Sequence, residues 1–182
     1  MAFSISKFRG GALNASGARP NLFDAQITKN PVGMNADEFR FSCKGAAIPA
    51  MAVGTIDVPY FGRTIKVPGN KTFDNWTVTI INDEGFKIRN GFEQWMAAMG
   101  THKENTVTIG GGTTGGTGSL YGSASVSQYG KAGGTALQTY TFVNIFPVSM
   151  SEIALEWGTN DTIEEFTVEF AYDYWTHGTI VT

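Results

Sequence analysis

Few side chains in this sequence are of the types that carry out nucleophilic, acid–base or metal chemistry. The chain has a single cysteine, Cys43, and two histidines, His102 and His177. A catalytic nucleophile needs a neighbouring base, and a zinc site needs ligands at short, regular spacings. Neither histidine lies in such a motif, and the alternating pattern around Cys43 places this thiol on an apolar face, as a small core residue. The sequence therefore predicts no enzyme activity, no metal site and no cofactor.

Two acidic pairs and one glycine-rich run are the remaining candidates for chemistry. Asp83 and Glu84 suit the start of a helix, where carboxylates satisfy free N–H groups and meet the positive end of the helix dipole. Glu164 and Glu165 fit a solvated turn or a charged interface. Residues 110–119, GGGTTGGTGS, lack the Lys-Ser/Thr ending of a phosphate-binding loop, and no helical pattern follows them. We interpret this run as a flexible loop.

The composition is that of one folded domain, residues 1–182. Hydrophobic residues make up 42% of the chain, charged residues 16% and aromatic residues 13%, with a net charge of −3. Few charges and many aromatic rings fit a subunit that buries surface against copies of itself, or a monomer with a large β core. Proteins that clamp phosphates need clustered Lys and Arg, which argues against nucleic-acid binding. No apolar run could span a membrane, and the first residues lack the apolar core of a signal peptide, so we expect synthesis in a cytoplasm.

The elements that would position these side chains are mostly strands. In residues 74–82, apolar side chains alternate with polar ones, which is the period of a half-buried strand. Residues 84–99 carry apolar side chains at helical spacing and predict one amphipathic α-helix. We interpret residues 1–20 as an arm that is flexible in the free subunit. Further strands are predicted at residues 22–27, 39–43, 120–128, 136–146, 153–157 and 166–174.

These elements predict a mainly β fold. We expect a single antiparallel β-barrel or β-sandwich domain with one amphipathic helix, at about residues 84–99, and a projecting hairpin. Neither an internal repeat nor a second domain is evident. The predicted core residues are Phe41, Trp76, Val78, Ile80, Phe92, Trp95, Met96, Phe166, Val168 and Phe170.

The predicted hairpin lies between residues 44 and 72, where prolines favour edge strands over central ones. Its turn would expose Tyr60 and Phe61, and exposed aromatic rings at the end of an edge element usually mark a contact surface. The alternative is that the hairpin folds back on its own core. Phe86 lies opposite the apolar stripe of the helix, so either the helix starts later or Phe86 packs elsewhere, for example on a neighbouring subunit. The predicted inter-subunit contact residues are Val58, Tyr60, Phe61, Arg63, Ile65, Lys66, Val67 and Phe86.

Four stretches of the chain resemble a known family. They are VPYFGRTIKVPGNKTFDNWTVTIINDEGFKIRNGFEQW at residues 58–95, ARPNLF at 18–23, FSCKGAAIPA at 41–50 and NDTIEEFTVEFAYDYW at 160–175. In this order they are similar to the tail tube proteins of contractile-tailed bacteriophages, to which the tube protein of type VI secretion is related. The resemblance implies a non-enzymatic β-barrel subunit whose hexameric rings stack into a hollow tube. It is weakest at the glycine-rich run.

The resemblance also implies partners and a location. The partners would be other copies of the chain, a tail sheath, a baseplate or tube initiator, a tail terminator and a tape-measure protein, with DNA only in passage and without sequence-specific binding. The protein would reside in the virion after synthesis in the host cytoplasm. The alternatives are a type VI secretion-like tube protein and a carbohydrate-binding β-sandwich that uses Trp157, Trp175 and Tyr60 as sugar platforms.

Charges are distributed unevenly along the chain. Residues 44–72 contain four basic residues and one acidic residue, whereas residues 151–182 contain seven acidic residues and neither Lys nor Arg. One interpretation is that both segments are solvated or pair within the subunit. The other is a head-to-tail contact, in which the basic hairpin of one subunit meets an acidic surface of the next.

Overall fold

The computed structural model describes residues 4–11, 17–104, 107, 120–131 and 133–178. Within these residues the backbone forms three helices and nine strands, so the mainly β prediction is confirmed. The helices are α1 (Ile5–Gly11), α2 (Ala36–Ser42) and α3 (Lys87–Met99). The strands are β1 (Phe23–Lys29), β2 (Cys43–Ala46), β3 (Ala52–Tyr60), β4 (Arg63–Thr72), β5 (Trp76–Ile81), β6 (Gly122–Tyr129), β7 (Ala136–Met150), β8 (Glu165–Ala171) and β9 (Tyr174–His177).

Seven strands pair in an antiparallel sheet that is folded on itself like a sandwich. The order along the sheet is β1-β6-β7-β8-β5-β2, and β9 also pairs with β7. The long strand β7 belongs to both halves, because its first part pairs with β6 and β9 and its last part pairs with β8. Between these parts Asn144 has a positive φ of 56°, and its side-chain amide donates to Asp173 Oδ2 at 2.6 Å. Strands that bend in this way carry a sheet around a corner.

The same corner explains why the strand predicted at residues 166–174 is two strands. β8 follows the last part of β7 and β9 follows its first part, with a break at Tyr172 and Asp173. The backbone N–H of Asp173 donates to Val143 O at 3.1 Å, which holds the break against the bend of β7. The described strands do not close into a barrel, since β1 and β2 end the sheet without pairing with each other.

The core lies between the sheet and α3. Trp76 stacks on Phe142 with 4.5 Å between ring centroids, and Phe92 of α3 meets Phe170 of β8 edge-on at 5.6 Å. The indole N–H of Trp76 donates to Ala47 O, and that of Trp95 donates to Leu120 O, both at 2.8 Å, so neither buried donor is left without a partner. The predicted core residues that are buried here are Trp76, Val78, Ile80, Phe92, Trp95, Phe166, Val168 and Phe170, while Met96 is only partly buried.

Phe41 is the predicted core residue that the structure places outside. Residues 39–43 were expected to form a strand, but Ala36–Ser42 is a helix that begins after Asn35, whose side chain accepts from the Asp37 N–H at 3.0 Å. Successive helical positions are about 100° apart, so two residues after the buried Phe39 the chain faces the opposite side. Phe41 is accordingly 81% exposed.

Other sequence-based predictions are corrected or lie outside the described residues. Residues 153–157 form no strand. The helix predicted from residue 84 begins at Lys87. Within the proposed N-terminal arm, α1 is a helix without buried residues. The predicted glycine-rich loop, residues 110–119, lies outside the described part of the chain, as do residues 1–3 and 12–16 of the arm.

Candidate assembly interface

Strands β3 and β4 form a hairpin that is a two-stranded sheet of its own. In paired strands, residues directly opposite each other lie on the same face, and so do residues two apart along one strand. The pairs Ile56↔Val67 and Val58↔Ile65 therefore put four β-branched side chains on one face of the hairpin. All four are exposed in the described structure. An isolated two-stranded hairpin is marginally stable in water, and an uncovered apolar face on one usually marks a contact surface.

The turn of the hairpin holds Phe61 in a backbone conformation that is unfavourable for a residue with a large side chain. Tyr60 pairs with Arg63, so Phe61 and Gly62 form a two-residue turn, and both have positive φ values, 42° and 76°. This is the pattern of a type I′ turn, whose first position favours Asn, Asp or Gly over a bulky side chain. Phe61 is nevertheless there, 91% exposed, with its ring edge-on to Tyr60 at 4.7 Å. A strained residue kept at an exposed tip points to a function for its side chain.

The basic residues of the hairpin are solvated in the described structure. Arg63, Lys66 and Lys71 form no ion pair with any other described residue. Lys44, which precedes the hairpin, does pair within the subunit, with 2.5 Å between its Nζ and Glu165 Oε1. Intrasubunit pairing therefore accounts for Lys44 but not for the charges of the hairpin itself.

The base of the hairpin is fastened to one end of the sheet. The segment between β2 and β3 is held by two indoles, since Trp76 donates to Ala47 O at 2.8 Å and Trp175 donates to Ala50 O at 3.4 Å. After β4, Phe73 packs on the rings of Tyr172 and Trp175. The hairpin therefore leaves the domain where Trp76 of β5 pairs with Phe170 of β8.

A second exposed surface lies on the segment between β7 and β8, within the acidic residues 151–182 that the sequence singled out. Leu155, Trp157 and Ile163 are exposed there, and Trp157 is 100% exposed. The strand predicted at residues 153–157 is wrong, and Leu155 and Ile163 went unrecognised as exposed residues. The signal available in the sequence was the Gly158–Asp161 turn together with the density of acidic residues, both of which argue against a buried strand.

Phe86, the last of the predicted contact residues, lies at the start of α3. It is the residue before the helix, with a φ of 51° and 40% of its surface exposed. Phe86 has no side chain that can cap the helix, and the Lys87 N–H donates to Asp83 Oδ1 at 3.1 Å. Of the two possibilities raised by the sequence, a later helix start is the one observed. Phe86 and Ile163 line the same shallow cleft, so Phe86 lies beside the second exposed surface.

The residues that could do chemistry do not assemble a reactive site in the described structure. Burial raises the pKa of the Cys43 thiol to about 11, which makes it a poor nucleophile at neutral pH. His102 is exposed after α3, whereas the His177 ring stacks on Trp175 at 5.7 Å. No group of three or more His, Cys, Asp and Glu side chains among the described residues could hold a metal ion.

Comparison with known proteins identifies the family of the chain. The phage tail tube protein family matches residues 18–178. The chain belongs to this family. The tail tube protein gp19 of Enterobacteria phage T4 is 38% identical over 160 residues, which cover 87% of this chain and 90% of the relative.

Solved structures of contractile injection systems have the same fold as this tail tube family member. A chain of the PVC sheath–tube complex has a TM-score of 0.62 at 15% identity and covers 97% of this chain and 98% of its own. A chain of the anti-feeding prophage baseplate has a TM-score of 0.64 at 10% identity, covering 89% and 95%. At such identities the likeness shows a shared fold.

Family membership makes this tail tube chain a structural protein and not an enzyme. Phage tail tube proteins are virion components. The rival carbohydrate-binding interpretation loses one of its platforms, because Trp175 packs against Phe73, Tyr140 and His177. In the described part of the chain, no helix is long and apolar enough to cross a membrane.

Proposed function

We propose that the chain forms hexameric rings that stack into a hollow tail tube, through which DNA leaves the virion during ejection. The observation that carries this proposal is the hairpin, a separate two-stranded sheet with an uncovered apolar face, solvated basic residues and a strained aromatic tip. In a monomer these features leave apolar surface in contact with water, with no free energy gained from its burial. Between subunits they supply a contact.

The proposed contact residues are those predicted from the sequence. Val58, Tyr60, Phe61, Ile65 and Val67 would supply most of the affinity by burying apolar surface, since buried aromatic and aliphatic side chains dominate interface energetics. Arg63 and Lys66 would set register and association rate. Phe86 would add to the contact from the other exposed surface.

We further propose that the tube carries DNA without reading its sequence. A net charge of −3 disfavours a lining that would bind phosphates and stall passage. The sheath, baseplate, terminator and tape-measure proteins of the same tail would be its partners, and synthesis would take place in the host cytoplasm. The presence of chains of this fold in a sheath–tube complex and in a baseplate supports the first two of these partners.

Negative-stain electron microscopy and sedimentation velocity of the purified protein test the proposal. We expect hexameric rings or tubes whose fraction rises with protein concentration. A chain that stays a dispersed monomer at the highest attainable concentration, without rings in micrographs, would contradict it. A glycan array on the same sample tests the rival carbohydrate-binding function, for which we expect no signal.

A further inference from the structure

The hairpin and the second exposed surface lie at opposite ends of the same two strands. The hairpin leaves the sheet at the pair Trp76↔Phe170, whereas β5 and β8 end on the other side at the pair Ile81↔Glu165. Five residue steps separate these pairs along β5, which is about 17 Å at the usual rise of a strand. A subunit thus presents one surface at each end of its β5–β8 ladder.

The second surface is held in place at both of its ends. At its start the Ser151 N–H donates to Thr167 O, and the Thr167 N–H donates to Ser151 Oγ, both at 2.9 Å. At its finish Glu164 accepts from Asn82 twice, at the backbone carbonyl and at Oε2, both at 2.9 Å. The segment therefore has fixed attachments to the sheet, and we name it the acidic end, residues 152–164.

The acidic end combines exposed apolar side chains with carboxylates that have no basic partner. Leu155, Trp157 and Ile163 are exposed, and a cleft of about 330 Å³ runs between Leu155 and Ile163, which is large enough for an aromatic ring. Glu152, Glu156 and Asp161 are exposed and form no ion pair with any described residue. Solvation alone would explain the carboxylates but not the apolar side chains among them.

We infer that the acidic end is the docking surface for the hairpin of a second copy of this chain, with Phe61 seated against Leu155, Trp157 and Ile163 and with Arg63 and Lys66 facing Glu152 and Glu156. The two surfaces are complementary, since both expose apolar side chains that could be buried together and their charges are opposite in sign. Because the two surfaces lie at opposite ends of one subunit, the contact is head-to-tail and repeats from copy to copy. This inference rests on the proposed stacking of rings and names the surface that receives the hairpin.

A charge exchange tests the pairing. Arg63→Glu with Lys66→Glu, and separately Glu152→Lys with Glu156→Lys, should each slow tube formation by roughly tenfold or more, because like charges then face each other. The four substitutions together should restore assembly towards the wild-type rate, followed by light scattering and micrographs. Unchanged melting temperatures show that each variant is folded. Wild-type assembly of the Glu152→Lys, Glu156→Lys variant, or no recovery in the combined variant, would overturn the inference.

Cross-linking between two variants, each with one cysteine added to the native Cys43, tests the direction of the contact. Thr64→Cys lies near the hairpin tip and Thr159→Cys lies in the acidic end, and both positions are exposed. With a short bis-maleimide reagent, a mixture of the two variants should give cross-linked dimers that neither variant gives alone. The wild type controls for Cys43, which is partly buried and should react slowly. Dimers formed by either variant alone would indicate a symmetric contact and contradict the inference.

These outcomes separate the inference from the proposed function. Tubes without cross-linking in the mixture leave the tube function standing and remove the acidic end as the docking surface of the hairpin. Absence of tubes in the wild type removes both. Trp157→Ser should reduce assembly while Trp157→Phe, which keeps a ring at the same fully exposed position, should retain it.

Discussion

At two glycine positions, Gly122 and Gly91, a neighbouring side chain leaves no room for a Cβ atom. Gly122 begins β6 beneath α3, and a Cβ built on it would come within 2.7 Å of Trp95 Cη2 and would also overlap the carbonyl oxygen of Lys29. Gly91, in the interior of α3, would meet Met34 Sδ at 2.8 Å. The two positions look alike in contact distance, but they differ in what must move. A tryptophan ring and a backbone carbonyl are fixed, whereas a methionine side chain can change rotamer.

We therefore expect different effects from the same substitution. Gly122→Ala should lower the free energy of unfolding by about 1–3 kcal/mol through overpacking. Gly91→Ala should change it by no more than about 1 kcal/mol, because the gain in helix propensity offsets the displacement of Met34. Urea denaturation followed by tryptophan fluorescence measures both. Equal losses at the two sites would show that Met34 is as immobile as Trp95.

At the scale of elements, the hairpin and α2 show how the same local pattern leads to different structures. Ile56, Val58 and Tyr60 alternate in β3, as the sequence predicts. Phe39, Phe41 and Cys43 alternate in the same way, but Phe39 and Phe41 lie in a helix. The capping side chain of Asn35 and the acidic first turn stabilise the helix there.

The turn of the hairpin separates the needs of folding from those of assembly. Phe61→Asn would place Asn-Gly in the type I′ turn, which its backbone prefers, so the melting temperature should stay the same or rise. Tube formation should fall, because the ring at the tip is lost. Phe61→Tyr, which keeps the ring, is the matched control and should assemble normally. If the Phe61→Asn variant forms tubes as fast as the wild type, the tip takes no part in the contact.

At the scale of the whole molecule, two surfaces with exposed apolar side chains and opposite charges lie at the two ends of one ladder. The basic hairpin leaves at one end, and the acidic end lies at the other. A subunit with unlike ends can build a linear assembly by repeating a single contact. Partly exposed ion pairs at that contact are screened within about 8–10 Å at physiological ionic strength, so salt should act mainly on the rate of association.

The glycine-rich residues 110–119 are expected to be dispensable for this architecture. They contain only Gly, Thr and Ser and so offer no apolar side chain to a core. Halving the length of a flexible loop changes its closure free energy by only about 0.6 kcal/mol. Replacing the segment with a four-residue turn should leave the melting temperature within a few degrees, measured by circular dichroism. A collapse in soluble yield would show instead that the segment is part of the folded structure.

The sequence by itself determined strand β5, the hairpin strands, the amphipathic helix and the family. Trp76, Val78 and Ile80 point to one side because strand geometry alone requires it, and the core they predict is the one observed. The hairpin was predictable for the same reason, since prolines and exposed aromatic residues are local signals.

Tertiary structure decided what depends on distant partners. The bend of β7 at Asn144 and the break at Tyr172 and Asp173 exist because two strands turn one corner together, and neither segment alone carries that signal. The side chain of Phe41 faces solvent because residues 36–42 form a helix, although the alternation of Phe39, Phe41 and Cys43 is the pattern of a strand. Above all, the sequence contained a basic and an acidic segment, but only the pairing of β5 with β8 placed them at opposite ends of the subunit. Charge can be counted along a chain, whereas its position in space is set by the strands that carry it.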